Sequence, residues 1–263
     1  MQDYILRKKQ IQMEKIQGEW IVKSHSEIEN LEMLRQSLKD NIDLMGPQWN
    51  HHMLTFITRQ SISRILYLDN LYRTMMVAPG AVLEFGVQWG GTLTQLINLR
   101  GVHEPYNHSR MIIGFDTFSG FSTVVDKDGE FSSSGDYSSR ENWEIHLEKQ
   151  LIAMEQLSPL SHIKKFSLIK GDASQTVPRW VNENPHALVA MAMFDMDVYQ
   201  PTKDALEAIL PLMSKGSVLV FDQLNAKHFP GETIALKEVC GLNNIRLRSF
   251  PHQPHCAWAI IGD

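Results

Sequence analysis

From residue 80 onward the chain alternates short, wholly apolar runs with longer amphipathic stretches, the pattern of a parallel sheet whose strands are covered on both faces. The apolar runs are Ala81–Phe85, Met111–Phe115, Phe166–Ile169, Leu188–Phe194 and Ser217–Phe221, and they predict five strands. Two further runs, Ile245–Phe250 and Ala257–Ile261, are joined only by Pro251–Pro254, a connection short enough to predict an antiparallel hairpin. Between the second and third runs lies a long polar segment, Ser119–Arg140, rich in Ser and Gly, which reads as a mobile lid. Ahead of the sheet the period is different. Residues 1–44 contain no proline, and Ile28, Leu31, Leu34 and Leu38 recur at helical spacing, so an amphipathic helix is predicted there. Gly46-Pro47 breaks it, a second helix is predicted from about His52 to Met76, and Pro79-Gly80 ends that one. The division expected is a helical extension over 1–78 and an α/β domain over 79–263.

Composition narrows the classes. With 43% hydrophobic and 21% charged residues in 263, the chain has the make-up of a globular protein with a sizeable core. Its longest uncharged apolar stretch, Ala187–Phe194, is far shorter than the roughly 20 residues that span a bilayer, so no membrane partner is expected. Charged residues interrupt the first twenty positions, which leaves no secretory core. Two cysteines, Cys240 and Cys256, are too few for a disulfide framework and fit a reducing, cytoplasmic setting. A net charge of −5 without a basic stripe argues against nucleic acid. The 11 histidines show no zinc-type spacing.

In a doubly wound sheet, ligands bind beyond the carboxyl ends of the strands. The residues there are Glu84-Phe-Gly86-Val-Gln-Trp-Gly90-Gly91-Thr92, then Asp116, Gly171-Asp172, Asp195-Met-Asp197 and Asp222-Gln223. A glycine turn after the first strand lets backbone approach a ligand, and the helix start that follows offers free amides. An acid after the second strand can take both hydroxyls of a ribose. Together these predict a nucleoside cofactor. The glycines are not spaced as GxGxxG, and bulky Trp89 stands between them, which disfavours a pyrophosphate.

The form Glu84-x-Gly86-x-x-x-Gly90 resembles motif I of class I S-adenosylmethionine-dependent methyltransferases. The blocks Val77–Gly91, Gly114–Gly120 and Phe194–Glu207 narrow the resemblance to the macrocin O-methyltransferase (TylF-type) family. That resemblance implies a Rossmann-like α/β fold with a seven-stranded, mostly parallel sheet in the order 3-2-1-4-5-7-6. It also implies methyl transfer from S-adenosyl-L-methionine to a hydroxyl of a sugar or glycosylated metabolite in natural-product biosynthesis. Cofactor binding then falls to Glu84, Gly86, Gly90, Thr92, Asp116 and, near the adenine, Asp172. The family's magnesium ligands map onto Asp195 and Asp222, with Gln223 where a second aspartate would stand; calcium is the other cation considered. Gln223 keeps a carbonyl oxygen but removes one negative charge. The family's general base maps onto Asp197, with His228 as the alternative because its ordinary pKa lies nearer neutrality.

Two other readings compete. Tyr199-x-x-x-Lys203 matches the proton-transfer pair of short-chain dehydrogenases, although Pro201 interrupts it. A non-catalytic S-adenosylmethionine-binding subunit would follow if Gln223 had cost the site its metal. The apolar residues on several faces between Ile57 and Leu71 predict a homodimer through the N-terminal helices.

Overall fold

The computed structural model describes residues 11–263. They fall into two compact units, the first ending at Ser63 and the second spanning Arg64–Asp263, so the division lies within a helix.

The first unit corrects one expectation. Residues 11–24 form a hairpin and not a helix: β1 (Ile11–Ile16) pairs antiparallel with β2 (Glu19–Ser24). Gln17 and Gly18 connect them, both with positive φ (52° and 85°), the geometry of a tight hairpin turn. The part of the predicted helix over residues 1–10 lies outside the described residues. Helix begins only at α1 (His25–Asn41), where Ser24 and Glu27 form a reciprocal capping box. Gly46 (φ 66°) and Pro47 then break the chain as expected. Short helical turns lead to α2 (Arg59–Met75), which starts several residues later than predicted.

The second unit is a three-layer α/β/α arrangement. Its remaining helices are α3 (Gly91–His103), α4 (Trp143–Gln156), α5 (Ala173–Glu183), α6 (Tyr199–Ile209) and α7 (Gly231–Val239). The strands are β3 (Ala81–Phe85), β4 (Ile112–Asp116), β5 (Phe166–Lys170), β6 (Val189–Phe194), β7 (Val218–Phe221), β8 (Arg248–Phe250) and β9 (Gln253–Ile260). They are ordered β5-β4-β3-β6-β7-β9-β8, which is 3-2-1-4-5-7-6 counted from β3. The first five run parallel and β9 returns antiparallel. One face is covered by α2, α3 and α4 through Tyr67, Leu71, Leu96 and Leu151; the other by α5, α6 and α7 through Val177, Leu206 and Leu236.

Four phenylalanines fix where the sheet ends. Phe115, Phe85, Phe194 and Phe221 are in register on adjacent strands, and their rings stack at 5.2, 4.7 and 5.2 Å between centroids. Each is fully buried, and aromatic cross-strand pairs resist slippage. The residues that follow them are Asp116, Gly86, Asp195 and Asp222. The ladder therefore delivers three acids and the turning glycine to one edge.

Candidate active site

At that edge lies a cavity of about 360 Å³, within the usual range for a small-molecule site. Of the expected residues, Glu84, Gly86, Thr92, Asp116, Asp172, Asp195, Asp197 and Gln223 line it. Gly90, Asp222 and His228 do not. Gly90 turns the loop behind it, against Leu147. His228 packs its ring edgewise on Phe131, 4.5 Å between centroids. Asp222 sits behind the wall, bonded to Arg64.

The glycine loop and the ribose acid are knitted together. Asp116 accepts the backbone N–H of Gln88 at 2.8 Å and of Phe118 at 2.5 Å. Burial raises its pKa, and these backbone bonds oppose the rise. Gly86 has no substitute, because a Cβ there would stand 1.9 Å from the Asp195 carbonyl oxygen. Asp172 caps α5 by accepting the Ser174 N–H, and its other oxygen accepts the Ser122 hydroxyl at 2.7 Å. That last bond belongs to the 119–140 segment, which is packed down. Phe121, Ser122 and Tyr137 from it line the cavity, and Tyr137 meets the Phe229 ring.

The loop after β6 is held by two acids from distant segments. Glu232, fully buried at the start of α7, accepts the N–H groups of Met196 (2.9 Å) and Asp197 (3.2 Å). Asp128, from the 119–140 segment, accepts the Tyr199 N–H at 2.5 Å. Beside them Gly231 must stay bare, since a Cβ would meet Tyr199 N and Asp197 O within 2.7 Å. Thus clamped, Asp197 adopts φ 61°, unusual for a non-glycine residue. Its Oδ1 is buried with no hydrogen-bond partner, and it does not cap α6. Burial, then repulsion from Asp222, pushes its pKa up to about 7. Glu84 is likewise buried with Oε2 unpartnered, and burial holds its pKa well above the carboxylate range.

Sequence reasoning missed the cation. Arg64, on α2, donates from Nη1 to Asp222 and from Nη2 to Thr92 Oγ1 at 3.1 Å, and its Nη2 stands 3.4 Å from Asp195 Oδ2. Burial disfavours its charge, but Asp222 and then Asp195 outweigh that and hold it above its ordinary range. Asp195 is driven up by burial and by Asp222, with Arg64 opposing. Nothing in the sequence marked Arg64, because it is 158 residues from Asp222 and sits on a helix read as part of the N-terminal extension. Among the described residues no group of three or more His, Cys, Asp or Glu is arranged to hold a metal ion. As the side chains stand, a guanidinium fills the place between the two expected metal ligands, so the residues do not fit a divalent ion.

The dehydrogenase reading does not hold. The Tyr199 hydroxyl donates to Glu238 at 2.6 Å, Lys203 pairs with Glu207, and neither lines the cavity. Contrary to expectation, Pro201 does not interrupt the helix; it occupies the first turn of α6, where a missing N–H costs nothing. Among the described residues no helix is long and apolar enough to cross a membrane.

A seven-stranded sheet in this order, with a glycine loop and acids at the carboxyl edge, defines the class I methyltransferase fold. Residues 2–243 match the model of the macrocin-O-methyltransferase (TylF) family, and the chain belongs to that family. Two solved structures of CalS11 are similar over nearly the whole chain. One, the calicheamicin methyltransferase, has TM-score 0.88 and 37% identity over 92% of this chain and 95% of that one. The other, an apo structure described as a TDP-rhamnose 3′-O-methyltransferase of calicheamicin biosynthesis, has TM-score 0.81 and 36% identity over 92% and 97%. The O-methyltransferase NovP shares the fold, with TM-score 0.55 at 17% identity over 76% of this chain and 79% of that one. A tetracenomycin-C rhamnosyl 4′-O-methyltransferase of Streptomyces olivaceus is 25% identical over 186 residues, 68% of this chain and 66% of that relative. The chain is a methyltransferase of this family, whose cofactor is S-adenosylmethionine.

Proposed function

We propose that the chain transfers a methyl group from S-adenosylmethionine to a hydroxyl of a deoxysugar, free as a nucleotide sugar or attached to a metabolite. The observation that carries this reading is the 37% identity to CalS11 over 92% of the chain, joined to a cavity whose floor is the glycine loop and whose far wall is the Asp195–Asp197 loop. The cavity fits the cofactor's chemistry: the bare backbone at Gly86 admits close approach, and Asp116 keeps carboxylate lone pairs for ribose hydroxyls. Glu84, Gly86 and Thr92 then face the amino-acid and sulfonium end, and Asp172 the adenine.

When bound, S-adenosylmethionine supplies a methyl group already activated by the sulfonium. What remains for the protein is orientation and the removal of one proton from the acceptor hydroxyl. Asp197 is the base in this reading. Its Oδ1 has no other partner, and a carboxyl shifted towards neutrality both accepts a proton and releases it again. Glu232 and Asp128 position it by fixing the backbone on either side. The family's metal would supply Lewis-acid activation of the acceptor, but Arg64 already pairs with both Asp195 and Asp222, and no step here runs through a metal. His228, turned onto Phe131, has no part in this scheme. Dimerisation stays part of the proposal, supported by Ile65 and Leu66, which are 38% and 51% exposed on α2; a strict monomer in light scattering would remove it.

The test is incubation of the full chain with S-adenosylmethionine and TDP-rhamnose, read by mass spectrometry, beside calorimetry with S-adenosylhomocysteine and with NADPH. A singly methylated nucleotide sugar and binding of S-adenosylhomocysteine alone are expected. Binding of NADPH, or transfer only to a non-sugar acceptor, would overturn the reading.

A further inference from the structure

We propose that Arg64 is the resident cation of the Asp195–Asp222 pair, and that it stands in for the divalent ion that the family resemblance implied at those two residues. The proposal rests on the geometry of this acid pair and not on the identity of the acceptor.

Three observations carry it. The first is how firmly Arg64 is delivered. It lies one to three turns ahead of Tyr67, Leu68, Leu71, Tyr72 and Met75, all fully buried on α2, so the helix that presents it is anchored in the core. Its guanidinium also packs over the Tyr67 ring, 5.6 Å from the centroid. The second is the number of its partners. Asp222, Asp195 and Thr92 all face the same fork, and a planar guanidinium satisfies several oxygens at once where an ammonium would not.

The third is charge. Two carboxylates and one guanidinium leave the pair with a single surplus negative charge. Adding a divalent ion beside Arg64 would turn that into a surplus positive one and press two cations together. Gln223, an amide where the resemblance calls for an acid, removes the extra negative charge that would have offset this. The substitution at 223 and the guanidinium at 64 are therefore two halves of one change: the site has one acid fewer because its cation carries one charge fewer. Calcium- and magnesium-type sites gain affinity chiefly from ligand charge and number, and both are reduced here.

The consequence for the reaction is that the acid pair is held in place permanently and its charge is compensated without a dissociable ion. Asp197 is bonded neither by the guanidinium nor, at its Oδ1, by any other group, consistent with its role as base.

Mn²⁺ titration of the full chain, followed by electron paramagnetic resonance and needing no acceptor, tests this directly. Wild type should take up no stoichiometric Mn²⁺ at about 1 mM, near the weak end for protein sites of this kind. Arg64→Met should bind one Mn²⁺ at least about tenfold more tightly, because two carboxylates are left uncompensated, and Asp195→Asn in that background should abolish the uptake. Arg64→Lys, which keeps the charge, should resemble wild type. Methyl transfer by wild type should be unchanged in excess EDTA. Stoichiometric, Asp195-dependent uptake by wild type would overturn the proposal, and so would an Arg64→Met variant that binds S-adenosylhomocysteine normally yet takes up no Mn²⁺. If Arg64→Met does not fold, the wild-type titration decides alone. Failure of the sugar assay removes only the EDTA comparison and leaves every Mn²⁺ measurement standing, so the two proposals fail separately.

Discussion

Two groups of buried charge lie in the sheet domain, and they are built on opposite plans. Around α3 and α4, Arg100, Lys165 and Glu155 are almost wholly buried, and nearly every donor finds a partner. Arg100 donates to Glu155 and to the carbonyls of Arg110 and Lys165. The Lys165 ammonium donates to the carbonyls of Leu160 and Ile163 and stands 2.8 Å from Glu155 Oε1. Next to it, Arg110 forks onto Glu104 and bonds the carbonyls of Ala78 and Gly80. At the carboxyl edge the balance is different: of Glu84, Asp195, Asp197, Asp222 and Glu232 only Asp195 and Asp222 pair with the guanidinium of Arg64, and Glu84, Asp197 and Glu232 each keep a buried oxygen with no hydrogen bond and, unlike Glu155 Oε1 beside Lys165, no cation next to it. A satisfied group holds loops and strands together. An unsatisfied one stores unfavourable charge that only a ligand or a proton can relieve, which is why perturbed acids gather at reaction sites.

The sharpest way to break this contrast is to neutralise one member of each group. Asp197→Asn should slow the chemical step by about 10²–10⁴-fold while leaving S-adenosylhomocysteine affinity unchanged, since the lost function is proton removal alone. Single-turnover rates and calorimetry on the same preparation would show it; an unaffected rate would move the base elsewhere. Glu155→Ala should do the opposite. It leaves Arg100 and Lys165 buried without their carboxylate, at a cost of about 3–5 kcal/mol in urea unfolding, with cofactor affinity of the folded fraction unaltered. A change in rate per folded molecule would show that the two groups are not independent.

Asp116→Ala tests the boundary between holding and binding, because Asp116 both ties the glycine loop and faces the cavity. Removing it should weaken S-adenosylhomocysteine binding by about 1.5–3 kcal/mol, the range for hydrogen bonds to a charged group. Unchanged affinity would leave it only the tying role. This residue also shows what the sequence makes legible. Phe115-Asp116, Phe194-Asp195 and Phe221-Asp222 carry the same local message: a buried ring closes the core of the strand, and the next residue reaches the edge. Strand ends are local, so the parallel sheet, its hairpin and most of the cavity lining could be read from apolar runs. What could not be read is non-local. Arg64 is 158 residues from Asp222, Asp128 is 71 from Tyr199 and Glu232 is 36 from Met196, and no spacing announces such meetings. The Gln17-Gly18 hairpin was hidden for another reason. Its strands carry Glu14, Lys15 and Lys23 among the apolar residues, which blurs the two-residue alternation into what resembles a helical face.

The smallest expected signal, and the one that sets the two groups most directly against each other, is the pH dependence of stability. Glu104 belongs to the satisfied side: burial would raise its pKa, but hydrogen bonds from Arg110, Tyr72 and Asn107 outweigh burial and hold it below the ordinary value. A folded pKa below the unfolded one means that the unfolded chain binds the proton more readily, so this contribution is present above the unfolded pKa and is lost as pH falls through the folded one. Asp197 is the reverse. With its folded pKa pushed up to about 7 by burial and by Asp222, the native state binds the extra proton, and its contribution is present below the unfolded pKa and lost as pH rises through about 7. Glu104→Gln should therefore flatten the acid limb of the stability profile and leave the limb between about pH 4 and 7 alone, while Asp197→Asn should flatten that second limb only, each by at most about 1.4 kcal/mol per pH unit, the slope of one proton. Urea midpoints of wild type and both variants across that range decide it. If Asp197→Asn instead altered the acid limb, Asp197 would be an ordinary paired carboxylate, and the contrast between the two groups would fail at the residue on which the proposed chemistry depends.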